Sequence, residues 1–301
     1  MRSAMRSAAV MPRGCSTSAD ARVQLELVRE EKLYRLLPGG KPSSRLEASG
    51  VALENDTTAL VVFDNLNLIA RIDLSLKPKR TNRLLPAPSL GVGFEDIAVE
   101  QRGGRLLCLI EALADFNGAV RGFVAEYEAD GSFIRCTPLP TELADANKGF
   151  EGLAHVQRGS RELLYALHEG NHGAKRDRSG RIDVFTRARD GGWKPAHRIR
   201  LPREAELDDY AALAYRDGKV AIVSQASARV VVARIDDKTF ELIPGSSARY
   251  RFPSKDYGNV EGVAWLSPNT LVAVSDRRKK DQSKRFAAKD QSIHVFRIPS
   301  E

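Results

Sequence analysis

A six-residue pattern occurs five times along the chain, as ASGVAL (48–53), FEDIAV (94–99), FEGLAH (150–155), YAALAY (210–215) and VEGVAW (260–265). The copies begin 46, 56, 60 and 50 residues apart, and a repeat of this length is typical of one blade of a β-propeller. The sequence therefore predicts a fold built from five equivalent units.

The residues after each copy follow one order. A polar turn precedes an apolar run rich in leucine and valine, such as ALVVFD (59–64) or LVAVSD (271–276), which indicates a buried strand. In the first four units a third strand-like run and a fourth that ends on proline follow. Proline suits the last strand of a sheet because the ladder no longer needs its N–H. Each unit is thus predicted to be a four-stranded blade.

The last unit has only three of these runs before Glu301, and a candidate for the missing one lies near the N-terminus. EKLYRLLP (31–38) matches RTNRLLP (80–86), so we expect the N-terminal strand to complete the last blade and close the ring. The predicted fold is all-β, a five-bladed β-propeller in one domain at 23–301. The preceding tail, 1–22, is expected to be disordered or a degenerate export signal. A β-sandwich, the alternative fold, does not explain the five matched columns.

Charge is concentrated in two segments of a chain that is otherwise nearly neutral. The net charge is +8, and most of it comes from four arginines in 1–22 and from seven lysines and arginines set against three aspartates in 276–290. A nucleic-acid surface needs a basic face built from many elements, so no nucleic-acid partner is expected.

No apolar stretch reaches the length of a membrane span. Three cysteines without metal-ligand spacing fit a reducing compartment, so we expect a cytoplasmic location. We also expect a monomer. A periplasmic or secreted location is the alternative if the start is read differently.

The second column of the repeat predicts a polar ring at the channel. The first strand of each blade lines the channel of a propeller, so the residues that begin these strands converge on one place. They are Ser49, Glu95, Glu151, Ala211 and Glu261. Three carboxylates in a narrow channel repel one another unless a cation or protons neutralise them, and an all-oxygen ligand set suits Ca²⁺. A hydrated channel without metal is the alternative.

A second set of polar residues is predicted to lie beside this ring. The second strands end on Asp64, Glu111, His168, Gln225 and Asp276. The loops that follow two of these strands are basic and supply Arg176, Arg178, Arg277 and Arg278 as candidate phosphate-binding residues. Asp64, Glu111 and His168 are the candidate catalytic residues, because a carboxylate or histidine there is placed to orient water.

The column Ser49, Glu95, Glu151, Ala211, Glu261 resembles the calcium-dependent nucleotidases, or soluble apyrases. These are five-bladed propellers whose central Ca²⁺ is held by inner-strand residues in the order Ser-Glu-Glu-Ser-Glu. The resemblance covers 31–301 and implies a Ca²⁺ cofactor held by Ser49, Glu95, Glu151 and Glu261. Ala211 departs from the family ring, and the nearby Asp209 is a candidate to supply the missing ligand. The segments FEGLAH and LLYALHEG (163–170) are similar to the phytase-like esterase propellers, which is a weaker resemblance.

Three functions are compatible with these features. The first is a Ca²⁺-dependent hydrolase of phosphate esters or anhydrides acting on a small anionic substrate. The second is a non-catalytic propeller with a structural metal that binds a ligand or an acidic partner on the channel face. The third is a lactonase-like metal hydrolase. HEGNH (168–172) has the spacing of a zincin motif, but its glycine-rich context does not favour the helix which that motif requires.

Overall fold

The computed structural model of the chain describes residues 23–91, 93–143, 149–169, 180–201, 207–236 and 238–300. Within these residues, twenty strands form five antiparallel sheets of four strands each, which confirms the predicted five-bladed propeller. No helix in this part of the chain is long and apolar enough to cross a membrane.

The elements follow the chain blade by blade. The chain enters through β1 (Glu26–Lys32) and the short helix α1 (Leu33–Leu36). Blade 1 contains β2 (Ala48–Asn55), β3 (Thr58–Phe63), β4 (Leu66–Asp73) and β5 (Arg83–Pro86). Blade 2 contains β6 (Asp96–Val99), β7 (Leu106–Ala114), β8 (Val120–Tyr127) and β9 (Phe133–Glu142). Blade 3 contains β10 (Phe150–Arg158), β11 (Arg161–His168), β12 (Arg181–Arg187) and β13 (Trp193–Arg200). Blade 4 contains β14 (Ala212–Arg216), β15 (Lys219–Ser224), β16 (Arg229–Arg234) and β17 (Ala248–Arg251). Blade 5 contains β18 (Val260–Ser267), β19 (Thr270–Ser275), β20 (Ser292–Arg297) and, at its outer edge, β1.

The inner strands β2, β6, β10, β14 and β18 contact one another in a closed circle. Small residues in the third column of the repeat allow this close approach: a β-carbon on Gly262 would lie 2.9 Å from the Cα of Gly50. The alanine column lies further along the same strands and lines a cavity of about 150 Å³. The two small-residue columns of the repeat are therefore explained by a narrow channel.

The second strand of each blade is buried on both faces. In β3 and β19, for example, every residue after the first is buried. Side chains on one face pack against the preceding blade and those on the other face against the following blade, and this accounts for the uninterrupted apolar runs. The core is thus distributed as five clusters between the blades.

The closing strand lies earlier in the chain than the sequence match placed it. We predicted 31–38, but β1 ends at Lys32, where it pairs antiparallel with β20. The Leu-Leu-Pro match was misleading, because Leu33, Leu36 and Leu37 have the i, i+3, i+4 spacing of a helix and are buried between blades 5 and 1. The true closing strand is largely exposed and carries charged residues, as is typical of an edge strand.

Candidate functional site

Three members of the predicted ring occupy equivalent irregular positions. The pairing of each inner strand with its neighbour shifts at Ser49, Glu151 and Glu261, so each is the extra residue of a β-bulge. Glu95 and Ala211 directly precede β6 and β14 and donate their N–H groups to Leu109 O and Val223 O. A β-bulge redirects the side chain of its extra residue. The side chains of Ser49, Glu151 and Glu261 therefore depart from the regular alternation between the two faces of their strands.

The glutamates of the ring lie beside carboxylates from the ends of the second strands. We call this set the carboxylate cluster, and the face of the propeller on which it lies the carboxylate face. The cluster contains Glu47, Asp64, Glu95, Glu111, Glu151, Glu169, Glu261 and Asp276. One carboxylate oxygen from each of Glu111, Glu151 and Glu169 lies within 4.8 Å of the other two. The structure thus brings both predicted sets of residues together on one face.

Burial and mutual repulsion raise the pKa values of these groups. Burial, followed by the charges of Glu111 and Asp64, raises the pKa of Glu95 to about 8. Burial also raises the pKa of Asp276 to about 7 and that of Asp64 to about 6, and the charge of a neighbouring carboxylate adds to each shift. The pKa values of Glu151 and Glu261 lie well above their usual range for the same reasons. The cluster therefore favours uptake of positive charge.

Little positive charge is supplied by the described part of the chain. Lys279 lies 3.9 Å from Asp276, and its charge opposes the rise in the pKa of Glu261. Among the described residues, no lysine or arginine forms an ion pair with Glu95, Glu151 or Glu261. Two buried oxygens of the cluster, Asp64 Oδ1 and Asp276 Oδ2, accept no hydrogen bond from these residues. An oxygen-rich site with unsatisfied acceptors fits a hard cation.

A second group of acidic residues, on the opposite face of the propeller, differs from the carboxylate cluster in being neutralised by arginines. Glu100, His155 and Glu162 also lie close enough to hold a metal. However, Arg105 forms a double hydrogen bond with Glu100 at 2.7 and 2.8 Å, and Arg187 lies 2.8 Å from Glu162. Because these carboxylates are already neutralised, we assign no cation to this group.

We expect the metal-free protein to lose stability as the pH rises from about 5 to 8. Carboxyl groups whose pKa is raised on folding bind more protons in the folded state than in the unfolded state, so the free energy of unfolding falls as the pH passes through this range. In chelator, we expect a fall in melting temperature of about 5 °C or more by differential scanning fluorimetry. Glu95→Gln should flatten this profile. A wild-type melting temperature that stays constant or rises over this range would contradict the buried cluster.

The other residues that the sequence placed at the site differ in their surroundings. The Ser49 hydroxyl donates to Phe94 O, and Gln225 Nε2 donates to Glu261 Oε1 at 2.6 Å. His168 is buried, and its ring packs edge-on against Phe150 with the centroids 5.6 Å apart. Asp209, the candidate to replace the ligand missing at Ala211, accepts hydrogen bonds from Ser224 and from Ala226 N. Asp209 is thus engaged by its own blade.

The predicted phosphate-binding arginines separate into three groups. Arg277 is partly exposed, with Nη1 3.7 Å from Glu47 at the rim of the carboxylate cluster. Arg278 donates to the carbonyls of Lys279 and Gln282 and so holds its own loop together. Arg176 and Arg178 lie outside the described residues.

Sequence reasoning missed several members of the site. Glu47 and Glu169 flank predicted strands, and Lys279 lies inside a basic run that gives no sign of which residue faces the channel. Asp96 offered a signal, because it interrupts a column of glycine and alanine in the repeat. It is 1 % exposed and accepts the N–H groups of Leu153 and Ile97 at 2.7 and 2.8 Å, which links blade 2 to blade 3.

Ser275, His294 and Glu30 form a hydrogen-bonded chain with the composition of an acyl-transfer triad. Ser275 Oγ lies 2.8 Å from His294 Nε2, and His294 Nδ1 lies 3.1 Å from Glu30 Oε2. The hydrogen bond from His294 is the main reason that the pKa of Glu30 falls to about 2. Ser275 and His294 are 1 % and 0 % exposed, which places this hydrogen-bonded group of residues beyond the reach of a substrate. It joins β19 and β20 to β1 and therefore contributes to closure of the ring.

The chain belongs to the phytase-like family, described as "Esterase-like activity of phytase", whose model matches residues 15–277. This match confirms the resemblance to phytase-like esterase propellers, whereas the resemblance to apyrases is not confirmed. No curated protein matches the sequence.

Solved structures with similar folds have low sequence identity. Glutaminyl cyclase of Myxococcus xanthus aligns with a TM-score of 0.50 at 12 % identity, over 93 % of this chain and 99 % of that chain. The PQQ-bound aldose sugar dehydrogenase of Streptomyces coelicolor aligns at 0.48 and 13 %, over 89 % and 98 %. A luciferin-regenerating enzyme aligns at 0.48 and 14 %, over 90 % and 95 %. At such identities the likeness concerns the fold alone.

Proposed function

We propose that this protein is a Ca²⁺-dependent hydrolase of phosphate esters or anhydrides. The observation that carries the proposal is the carboxylate cluster, which holds more buried acidic groups than the nearby cations neutralise. The cluster shares its face with the basic segment 277–289. Carboxylates alone would repel a phosphate, but a bound cation reverses the local field and makes the face suitable for an anion.

Glu95, Glu151 and Glu261 are the residues that would hold the cation, with the Ser49 hydroxyl oxygen at the same ring. The donors are all oxygens, and Ca²⁺ suits such a set because it accepts a looser geometry than Mg²⁺. When bound, Ca²⁺ would supply charge neutralisation and polarisation of a phosphoryl oxygen.

Asp64 is the best candidate for the general base among the three predicted catalytic residues. Its pKa of about 6 leaves it ionised near neutral pH and still basic enough to accept a proton from water. Its Oδ1 atom is buried and accepts no hydrogen bond from the described residues. Glu111 and His168 lie further along the same face, and the close packing of His168 against Phe150 favours a positioning role for the imidazole.

Arg277 and Lys279 are placed to attract the anionic substrate. Arg277 lies beside Glu47, and Lys279, two residues further along the connection that follows β19, lies beside Asp276. Because both side chains are partly exposed, their attraction for a phosphate is expected to decrease with ionic strength.

The test is phosphate release after chelation and re-addition of Ca²⁺, measured with an aryl phosphate, nucleotides and phytate. We expect turnover to require Ca²⁺, and Asp64→Asn to lower kcat by about 100-fold or more. Arg277→Gln with Lys279→Gln should mainly raise KM, with a smaller effect at high salt. Asp217→Asn, in an exposed turn on the opposite face, is the matched control. A Ca²⁺-loaded protein that releases no phosphate from any of these substrates would contradict the proposal.

The two alternative functions are distinguished when lactones and carboxylic esters are tested beside the phosphate substrates. A lactonase-like hydrolase would show Ca²⁺-dependent proton release from lactones or carboxylic esters without phosphate release. A non-catalytic propeller would bind Ca²⁺ but hydrolyse neither the phosphate substrates nor the lactones and carboxylic esters.

A further inference from the structure

Two strongly exposed apolar side chains stand on the carboxylate face. Phe116 is 95 % exposed and Leu90 is 67 % exposed, the highest values among the large apolar side chains of the described residues. Phe116 lies in the β7–β8 turn, and Leu90 lies in the segment between β5 and β6. Both connections are on the face where inner strands begin. An apolar patch that is bordered by polar residues is typical of a ligand-binding surface, so the surroundings of the two side chains decide what they can do.

The turn that carries Phe116 is held in one shape. The Asp115 carboxylate accepts the N–H groups of Asn117 and Ala119 at 2.8 and 3.0 Å, and Arg121 Nε at 2.8 Å. Gly118, with a φ of 83°, donates its N–H to Asp115 O at 2.9 Å. The aromatic ring is thus presented by a preformed hairpin tip.

The segment that carries Leu90 is also anchored. Asn67 Nδ2 donates to Gly91 O at 3.1 Å, and its Oδ1 accepts the N–H of Gly93 at 2.8 Å. Tyr127 donates its hydroxyl to Pro88 O at 2.7 Å. Leu90 therefore extends from a segment fixed on both sides.

Leu113 lies beside the segment that carries Leu90 and in the same hairpin as Phe116. A β-carbon on Gly91 would lie 3.5 Å from Leu113 Cδ2, so the Leu90 segment packs on the hairpin. Leu113 is only partly buried. We call Leu90, Leu113 and Phe116 the apolar ridge.

The apolar ridge borders the carboxylate cluster directly. Gly93 approaches the Asp64 carbonyl so closely that a β-carbon there would lie 1.6 Å from the oxygen. Glu111 precedes Leu113 by two residues and Phe116 by five in the same hairpin. A strand rises about 3.3 Å per residue, so Leu113 lies within about 7 Å of Glu111 along β7.

We propose that the apolar ridge binds the organic part of the substrate, which is an aromatic or alkyl phosphate rather than a polyhydroxylated one. The inference rests on the proposed function, since the anionic group of this substrate is the part that lies at the carboxylate cluster. An apolar or aromatic group lying along the ridge removes the exposed surface of Phe116 and Leu90 from water and stacks on the aromatic ring.

The test compares an aromatic and a polar substrate in Ca²⁺. For 4-methylumbelliferyl phosphate, we expect Leu90→Ser with Phe116→Ser to raise KM about tenfold, equivalent to about 1.4 kcal/mol. For glycerol 2-phosphate, the same double variant should match the wild type within twofold. Ile243→Ser is the matched control, because Ile243 is 38 % exposed in the β16–β17 connection of blade 4, away from the ridge. Melting temperatures of all variants confirm that they are folded.

The outcomes separate the ridge from the proposed function. If the wild type hydrolyses both substrates and the double variant leaves the aromatic KM unchanged, or raises both KM values equally, the ridge proposal is overturned and the hydrolase stands. If the wild type hydrolyses neither, the hydrolase proposal fails, and fluorescence titration of 4-methylumbelliferyl phosphate decides the ridge. Weaker binding to the double variant than to Ile243→Ser would then support the ridge, and equal binding would overturn it.

Discussion

Deletion of residues 1–40 is expected to prevent the protein from folding into a closed ring. The deletion removes β1, the outermost strand of blade 5, and its backbone bonds to β20. It also removes the bridge from Leu25 N to Arg251 O, which ties the N-terminal segment to blade 4. The ring would be left with an unpaired edge, which promotes aggregation.

The size of this effect follows from the buried side chains that are lost. Leu25, Leu33, Leu36 and Leu37 are each at most 5 % exposed. Removal of a buried leucine side chain costs about 2 to 5 kcal/mol, and the total stability of a domain is about 5 to 15 kcal/mol. The deletion also leaves His294 without Glu30 in a fully buried position. The loss therefore matches or exceeds the stability available.

The matched control deletes residues 1–20, which lie outside the described residues, and retains β1. We expect the control to keep the wild-type melting temperature within a few degrees and to remain monodisperse in size-exclusion chromatography. The longer deletion should aggregate or lose its cooperative thermal transition. Equal tolerance of both deletions would show that β1 does not close the propeller.

Saturating Ca²⁺ is expected to raise the melting temperature of chelator-treated protein substantially. A ligand at 100 times its dissociation constant stabilises the folded state by about 2.7 kcal/mol. For a chain of this size, that corresponds to an increase of roughly 4 to 5 °C. The gain should be larger at pH 8 than at pH 5.5, because protons compete for the same carboxylates at lower pH.

Glu151→Gln tests the origin of that gain. Glu151 lies in the middle of the cluster, with its charge coupled to Glu95, Glu111, Glu169 and Glu261. The variant should keep its fold and be more stable than the wild type in chelator at pH 8, because it carries one buried charge fewer, but lose most of the response to Ca²⁺. Glu128→Gln, an exposed glutamate in the β8–β9 turn, should respond like the wild type. A full Ca²⁺ response in the Glu151 variant would place the cation elsewhere.

Much of the fold could be predicted from the repeat because each column has one physical role. The glycine and alanine columns line a narrow channel, the glutamate column begins the inner strands, and the apolar runs lie buried between blades. Each role depends only on the position of a residue within its blade. The same residue types therefore recur once per blade and are visible in the sequence.

Features that occur once could not be read in this way. The closing strand occurs only once, and its resemblance to RTNRLLP favoured 31–38 over the true range, Glu26–Lys32. Lys279 faces the cluster because of the path of one irregular loop, which the basic composition does not determine. The apolar ridge combines a turn, an inter-blade segment and a bulged strand that are separate in sequence. Such contacts are set by tertiary structure.

Calorimetric titration of Ca²⁺ into chelator-treated protein shows whether the carboxylate cluster holds a cation, because it measures the stoichiometry of Ca²⁺ binding without relying on turnover. We expect one saturable Ca²⁺ site per chain in the wild type and in Glu128→Gln, and loss of that site in Glu151→Gln. Absence of binding to the folded wild-type protein at millimolar Ca²⁺ would contradict this expectation, and the cluster would then be a hydrated, partly protonated channel.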